Sequence, residues 1–365
     1  MIPISKPLIA DEEKNAVLAV LESGMLAQGR QVEAFEVAFA AYCGTKHAVA
    51  TSSGTTALHL ALLAHGIGPG DEVITTPFTF AATANAILYV GARPVFADIE
   101  YDTFNLAPEQ VERRITPATR AVVAVHLFGH AADTPRLVEV ANRHGLVLIE
   151  DACQAHGAEL DGRKVGTFCT GCFSFYPTKN MTSGEGGMVV SDNTAIADRV
   201  RMLRNHGMRE RYYHEIVGYN FRMTDLHAAI GLAQLAKLDR FNEKRMANAS
   251  FLTSLLSGIV ACPTVRPTAR HVFHQYTVRL PHGRDLVKEM LRVAGVDSGI
   301  YYPVPVHRQQ PYRDLGLDGG FFPVAETACR EVLSLPVHPQ LGEPELERIA
   351  NALRSSVDRI RPQGS

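Results

Sequence analysis

The chain alternates short, nearly unbroken apolar runs with longer stretches whose apolar residues recur at helical spacing. Runs at 47–51, 72–76, 94–98, 120–126 and 146–150 have the length and continuity of strands covered on both faces. The stretches between them, 55–65, 80–90, 107–114 and 132–144, read as helices. This alternation predicts βαβ units, hence an α/β fold with a mainly parallel central sheet flanked by helices. A further strand is expected from Gly187 to Ser191, turned by Asp192-Asn193. From Thr224 to Leu256 the pattern is helical almost throughout and could bridge two domains. The Pro-containing stretch from Cys262 to Pro267 changes the composition. Beyond it a strand from Tyr276 to Leu280 and helices at 285–294 and 343–358 predict a smaller α+β unit. The expected division is a large domain over residues 1–245 and a small C-terminal domain over 246–365.

Composition narrows the function classes. With 46% hydrophobic and 20% charged residues the chain reads as globular rather than disordered. A formal net charge of -2 and no basic block argue against nucleic-acid binding. No apolar run approaches the ~20 residues of a membrane span, and the charged start Asp11-Glu12-Glu13-Lys14 is no signal peptide, so the expected compartment is the cytoplasm. Six cysteines are scattered. Cys169 and Cys172 have C-x-x-C spacing but lack a second ligand pair for zinc, and they lead into a strand, so they read as small buried residues with no metal.

Candidate chemistry begins at Lys179. The run Cys172-Phe173-Ser174-Phe175-Tyr176 reads as a buried strand ended by Pro177, with Lys179 just beyond and the glycine-rich Ser183-Gly184-Glu185-Gly186-Gly187 after it. A lysine there is placed to be desolvated, which lowers an amine's pKa and makes it a nucleophile toward carbonyls. Upstream, Leu146-Val147-Leu148-Ile149 ends in Glu150-Asp151, two carboxylates at the carboxyl end of a strand, where ligands bind in open α/β sheets. Lysine plus carboxylate is the pairing that pyridoxal 5'-phosphate requires. Alternation does not say which carboxylate serves, because neighbours on a strand face opposite ways. The turn Ser52-Ser53-Gly54-Thr55-Thr56, between a strand and a helix, suits a phosphate: free N–H groups and the helix dipole point at it. The aromatics of Phe78-Thr79-Phe80 follow another strand end, where one could stack on a flat ring.

Together these segments resemble the DegT/DnrJ/EryC1/StrS family of sugar aminotransferases, which have the fold type I architecture of pyridoxal-phosphate enzymes. The resemblance runs over nearly the whole chain, from Ile2-Pro3-Ile4-Ser5-Lys6-Pro7 to Leu333-Ser334-Leu335-Pro336-Val337-His338-Pro339. Its most specific parts are Glu150-Asp151-Ala152-Cys153-Gln154-Ala155-His156-Gly157 and the segment from Ser174 to Asn180. The resemblance implies Lys179 as the Schiff-base lysine and Asp151, not Glu150, as partner of the pyridine nitrogen. It implies Gln154 near the cofactor's phenolic oxygen. It places Gly54, Thr55, Thr56 and Ser174 at the phosphate, Phe80 on the ring, and His307 near a sugar nucleotide. Asn220 would reach the phosphate of the neighbouring subunit, making a homodimer with shared active sites. The activity implied is transfer of an amino group from an amino acid, glutamate in the family, to a nucleotide-linked 3- or 4-keto-sugar, in amino-sugar biosynthesis.

Other readings follow from the same resemblance: transamination of a cyclitol or other cyclic ketone, and a non-catalytic cofactor-binding regulator. A sugar dehydratase of the family carries histidine at the lysine position, so Lys179 opposes it. A dinucleotide oxidoreductase is opposed by Gly66-Ile67-Gly68-Pro69-Gly70, which precedes a strand instead of opening a helix.

Overall fold

A computed structural model describes residues 1–360. Seven strands form the central sheet, in the spatial order His47–Thr51, Gly187–Ser191, Thr170–Ser174, Val147–Asp151, Thr119–Val125, Glu72–Thr75, Arg93–Phe96. Pairings among the last five are parallel, and Gly187–Ser191 runs antiparallel to both its neighbours. The mainly parallel sheet expected from the alternating pattern is present, with strand limits within about two residues of those read.

Both faces of the sheet are covered, which is why its strands carry apolar residues in unbroken runs. On one face Ala48, Ala50, Phe173, Met188 and Val190 pack with Phe35 and Phe39 of the helix Arg30–Cys43. On the other, Val49, Ile149, Cys172 and Val189 pack with Leu58 and Leu62 of the helix Gly54–Ala64. The strand that leads toward Lys179 lies two residues earlier than expected, at Thr170–Ser174 instead of Cys172 to Tyr176. Its register is set by the neighbouring strand, with Ile149 opposite Thr170 and Asp151 opposite Cys172. The chain therefore leaves the sheet before Pro177, and Tyr176 is exposed.

A second core gathers Tyr276, Val278, Leu333 and Leu335 from a two-stranded sheet, Val287 and Leu291, Leu346 to Val357, and Ile2 from the chain start. The stretch read as one helix from Thr224 to Leu256 is two helices, Asp225–Leu235 and Leu238–Leu256. The interruption is held from outside: Lys237 Nζ donates to both carboxylate oxygens of Glu13 (2.8 and 2.9 Å), and Gln234 Nε2 donates to the Leu8 carbonyl (2.8 Å).

The longer helix, Leu238–Leu256, runs unbroken through the expected boundary between 245 and 246. Near its start Asn242 accepts from Asn180 Nδ2 (2.8 Å) and donates to the His156 carbonyl (2.8 Å). Two turns on, Asn248 donates to the His338 carbonyl (3.1 Å), and Ala249, Leu252 and Leu256 enter the second core. Among the described residues no helix is long and apolar enough to cross a membrane, and no group of His, Cys, Asp and Glu could hold a metal ion.

Candidate active site

A cavity of about 730 Å³ opens at the carboxyl ends of the parallel strands. That is the size range of small-molecule sites. Its lining includes Gly54, Thr55, Phe80, Asp151, Gln154, Ser174 and Lys179, so the structure brings together seven of the residues singled out in the sequence.

The strand Val147–Asp151 settles the two carboxylates by its pleat. Glu150 points away from the cavity and is fully buried. It accepts from His126 Nε2 (3.0 Å), Gly166 N (2.8 Å) and Cys169 N (2.9 Å). His126 Nδ1 accepts from Ala132 N (3.0 Å), which puts the ring's proton on Nε2, facing Glu150. Asp151 lies on the cavity side. Thr83 Oγ1 donates to its Oδ2 (2.8 Å) and Cys153 N to its Oδ1 (3.2 Å). These bonds fix the carboxylate and leave it acceptor capacity toward the cavity.

Lys179 follows a turn closed by its own N–H to the Tyr176 carbonyl (2.9 Å). Its amine makes no hydrogen bond or ion pair among the described residues. Burial lowers its pKa from the ordinary lysine value, and the nearby Cys153 and Asp151 pull partly the other way. Burial lowers the pKa of two histidines beside it as well. Desolvation takes His156 down to about 3 and His274 well below its usual range, and the charge of Lys179 adds in the same direction.

At the far end the helix Gly54–Ala64 starts with Ser53 as N-cap, whose Oγ accepts from Thr56 N (3.2 Å). Thr56 Oγ1 in turn accepts from Ser53 N (3.0 Å), a reciprocal cap. Thr56 is therefore engaged in the turn and does not line the cavity, whereas Ser53, Thr55 and Ser174 do. Gly54 is required there: an added Cβ would lie 2.6 Å from Ser174 Cβ and 2.9 Å from Cys153 Sγ.

Gln154 is locked between the Phe128 N–H, which donates to its Oε1 (2.9 Å), and the Tyr302 hydroxyl, which accepts from its Nε2 (3.1 Å). Phe80 stands at the mouth, 60% exposed, with Tyr302 6.3 Å away between ring centroids.

Besides Thr56, two sequence candidates stand outside this cavity. His307 is fully buried, its ring edge-on to Phe322 at 4.8 Å and 5.9 Å from Phe96. Glu326 Oε1 lies 3.7 Å from its Nε2, and the ring does not line this cavity. Asn220 is exposed; its backbone bridges Asn205, and the next carbonyl, Phe221 O, accepts from Ser52 N (2.9 Å). The segment is thus tied to the turn that opens the helix, but Asn220 does not line the cavity of its own chain.

Sequence reading missed Thr83, His274, Gln275, Tyr301 and Tyr302 on the cavity wall. Four of them come from the distant C-terminal part, where no local pattern marks them. Thr83 had a usable signal, since it opens a helix one turn beyond Phe80.

A sequence model described as the DegT/DnrJ/EryC1/StrS aminotransferase family matches residues 7–354. The chain is 44% identical to a dTDP-3-amino-3,4,6-trideoxy-alpha-D-glucose transaminase of Streptomyces venezuelae, over 96% of this chain and 93% of that protein. It is 43% identical to a pleiotropic regulatory protein of Geobacillus stearothermophilus, over 92% of each. Among solved structures, S. venezuelae DesV in complex with a ketimine intermediate superposes with a TM-score of 0.93 at 44% identity, covering 96% of this chain and 95% of that one. The architecture is that of fold type I aminotransferases.

Proposed function

We infer, from the premise that this chain belongs to the DegT/DnrJ/EryC1/StrS aminotransferase family, that it carries pyridoxal 5'-phosphate on Lys179 and aminates a nucleotide-linked keto-sugar. The amino donor in this reading is an amino acid, glutamate, and the acceptor is a nucleoside-diphosphate 3- or 4-keto-sugar. One observation carries the reading: an unpaired, desolvated lysine, a fixed carboxylate and a hydroxyl-rich helix N-terminus line one cavity.

These residues fit the group. Ser53, Thr55, Ser174 and the free N–H groups of the helix start would hold its phosphate. Phe80 would cover one face of its ring, and Lys179 would hold its aldehyde carbon. When bound, the cofactor supplies an electron sink for the carbanion left on removal of the donor's α-proton. Asp151 would keep the ring nitrogen protonated, and Thr83 keeps Asp151 in place. Burial keeps a larger share of Lys179 neutral, so its amine can take a proton from one carbon and return it to another. The neutral state of His156 and His274 supports this, because they add no further positive charge beside the amine.

A shared dimeric site completes the reading. Asn220 is exposed and anchored beside the phosphate turn, and its neighbourhood exposes Tyr212, Tyr213 and Val217, a composition that suits an interface.

The test is borohydride reduction of the yellow holoenzyme followed by peptide mapping. The pyridoxyl label is expected on Lys179, and a label on Lys164 or Lys6 would end the assignment. Lys179→Ala should retain affinity for the cofactor while losing transamination. Half-reactions with glutamate and a panel of keto-sugar nucleotides and cyclic ketones identify the acceptor. Mixing inactive Lys179→Ala with inactive Asn220→Ala should restore part of the activity if sites are shared; no recovery despite verified subunit exchange places Asn220 in its own subunit's site.

A further inference from the structure

The polar groups of the cavity fall into two sets. On the floor they are committed: Asp151 to Thr83 and Cys153 N, Gln154 to Phe128 N and Tyr302. On the lip that runs through Lys179 they are free. The side chains of Tyr176, Thr178 and Glu185 line the cavity, yet none makes a hydrogen bond or ion pair among the described residues. Glu185 is the only carboxylate besides Asp151 in the described lining. No ion pair joins it to Lys179, so the catalytic amine does not neutralise it.

The mount of Glu185 is stiff although its side chain is exposed. Ser183 Oγ donates to the Glu185 carbonyl (2.7 Å), and the Gly186 carbonyl accepts from Phe175 N (2.8 Å). Gly184 has φ +84°, and added Cβ atoms at Gly186 or Gly187 would collide with Ser183 Oγ or with the Ser53 carbonyl. A rigid turn thus presents an unpaired carboxylate acceptor to a cavity whose lining also carries the unpaired hydroxyls of Tyr176 and Thr178.

We propose that Glu185 is a specificity residue: it accepts hydrogen bonds from ring hydroxyls of the acceptor. It thereby selects a cyclic ketone whose ring carries hydroxyls over one whose ring lacks them. Tyr176 and Thr178 supply the companion hydroxyls. The chemistry follows from the inventory, since a carboxylate is an acceptor only, and bonds to a charged acceptor are stronger than neutral ones. A site built on such bonds rejects analogues that lack the hydroxyl. This rests on the aminotransferase reading and names what its acceptor side recognises.

The two half-reactions separate the claims. Holoenzyme, Glu185→Gln and Glu185→Ala are followed by cofactor absorbance, first with glutamate and then with whichever nucleoside-diphosphate 3-keto- or 4-keto-6-deoxyhexose the parent accepts. The donor half-reaction should stay within about twofold of the parent in both variants. In the acceptor half-reaction KM should rise about ten- to a hundredfold in Glu185→Ala, with kcat little changed. A counterpart lacking the hydroxyl next to the carbonyl should be a correspondingly poorer substrate for the parent and no worse than the hydroxylated sugar for Glu185→Ala. Equal losses in both half-reactions, or a variant that still discriminates the hydroxyl, would overturn the assignment. A parent that completes the donor half-reaction and accepts neither sugar would sink the sugar reading itself.

Discussion

Glu150 and Asp151 are the same kind of residue, one peptide apart, and they face two different regions. On the Glu150 side three donors converge and nothing is left for a ligand. On the Asp151 side two donors hold the carboxylate and the cavity takes the rest. The chemistry of a carboxylate is thus assigned by the pleat, not by the side chain. One face of the strand belongs to the core and the other to the cavity.

The sharpest way to break that contrast is to exchange the expected phenotypes. Glu150→Ala leaves the buried Gly166 N–H, the half-buried Cys169 N–H and the His126 ring without their acceptor, so unfolding free energy should fall by about 3–5 kcal/mol. Denaturant titration measures it, and the protein that remains folded should turn over normally. A variant that keeps its stability and loses activity would put Glu150 in the reaction. Asp151→Asn should show the reverse: an unchanged denaturation midpoint and turnover lower by about a hundredfold, or ~2.7 kcal/mol. Near-parental turnover would remove Asp151 from its role.

A smaller effect sharpens the same division through pH. His156 packs against Phe173 and Phe175 and is held down to about 3, below the 6.5 of an unfolded histidine. The unfolded chain therefore takes up the proton first as pH falls. Its contribution to stability is complete above about pH 6.5 and is lost progressively toward pH 3. Between pH 6 and 5 the parent should lose about 1.2 kcal/mol more than His156→Phe. Equal slopes would mean that the ring is protonated in the folded protein.

The fold was readable where a local pattern carries it. Apolar runs marked the strands because both faces of the sheet are buried. The break after Leu235 was hidden because neither glycine nor proline stands there; it is held by contacts from Glu13 and Leu8, more than two hundred residues away. The site was readable along the strand ends, from Gly54 through Lys179. Glu150 and Asp151 were not separable by alternation alone, since the pattern gives two faces without saying which is wet. His274, Gln275, Tyr301 and Tyr302 reach the cavity from the far part of the chain, so only tertiary folding reveals them. His307 shows the converse, a polar residue beside the right segment whose ring packs against Phe96 and Phe322, outside the cavity lining.

The helix Leu238–Leu256 also has a bearing on how this chain can vary in length. Asn242 holds the Asn180 side chain of the lysine loop and the His156 carbonyl, and Asn248, six residues on, holds the His338 carbonyl from the same rigid rod. One residue inserted between them would rotate the distal grip by about 100° and advance it by about 1.5 Å. Both anchors could not then be satisfied together. Insertions and deletions are therefore forbidden along this stretch.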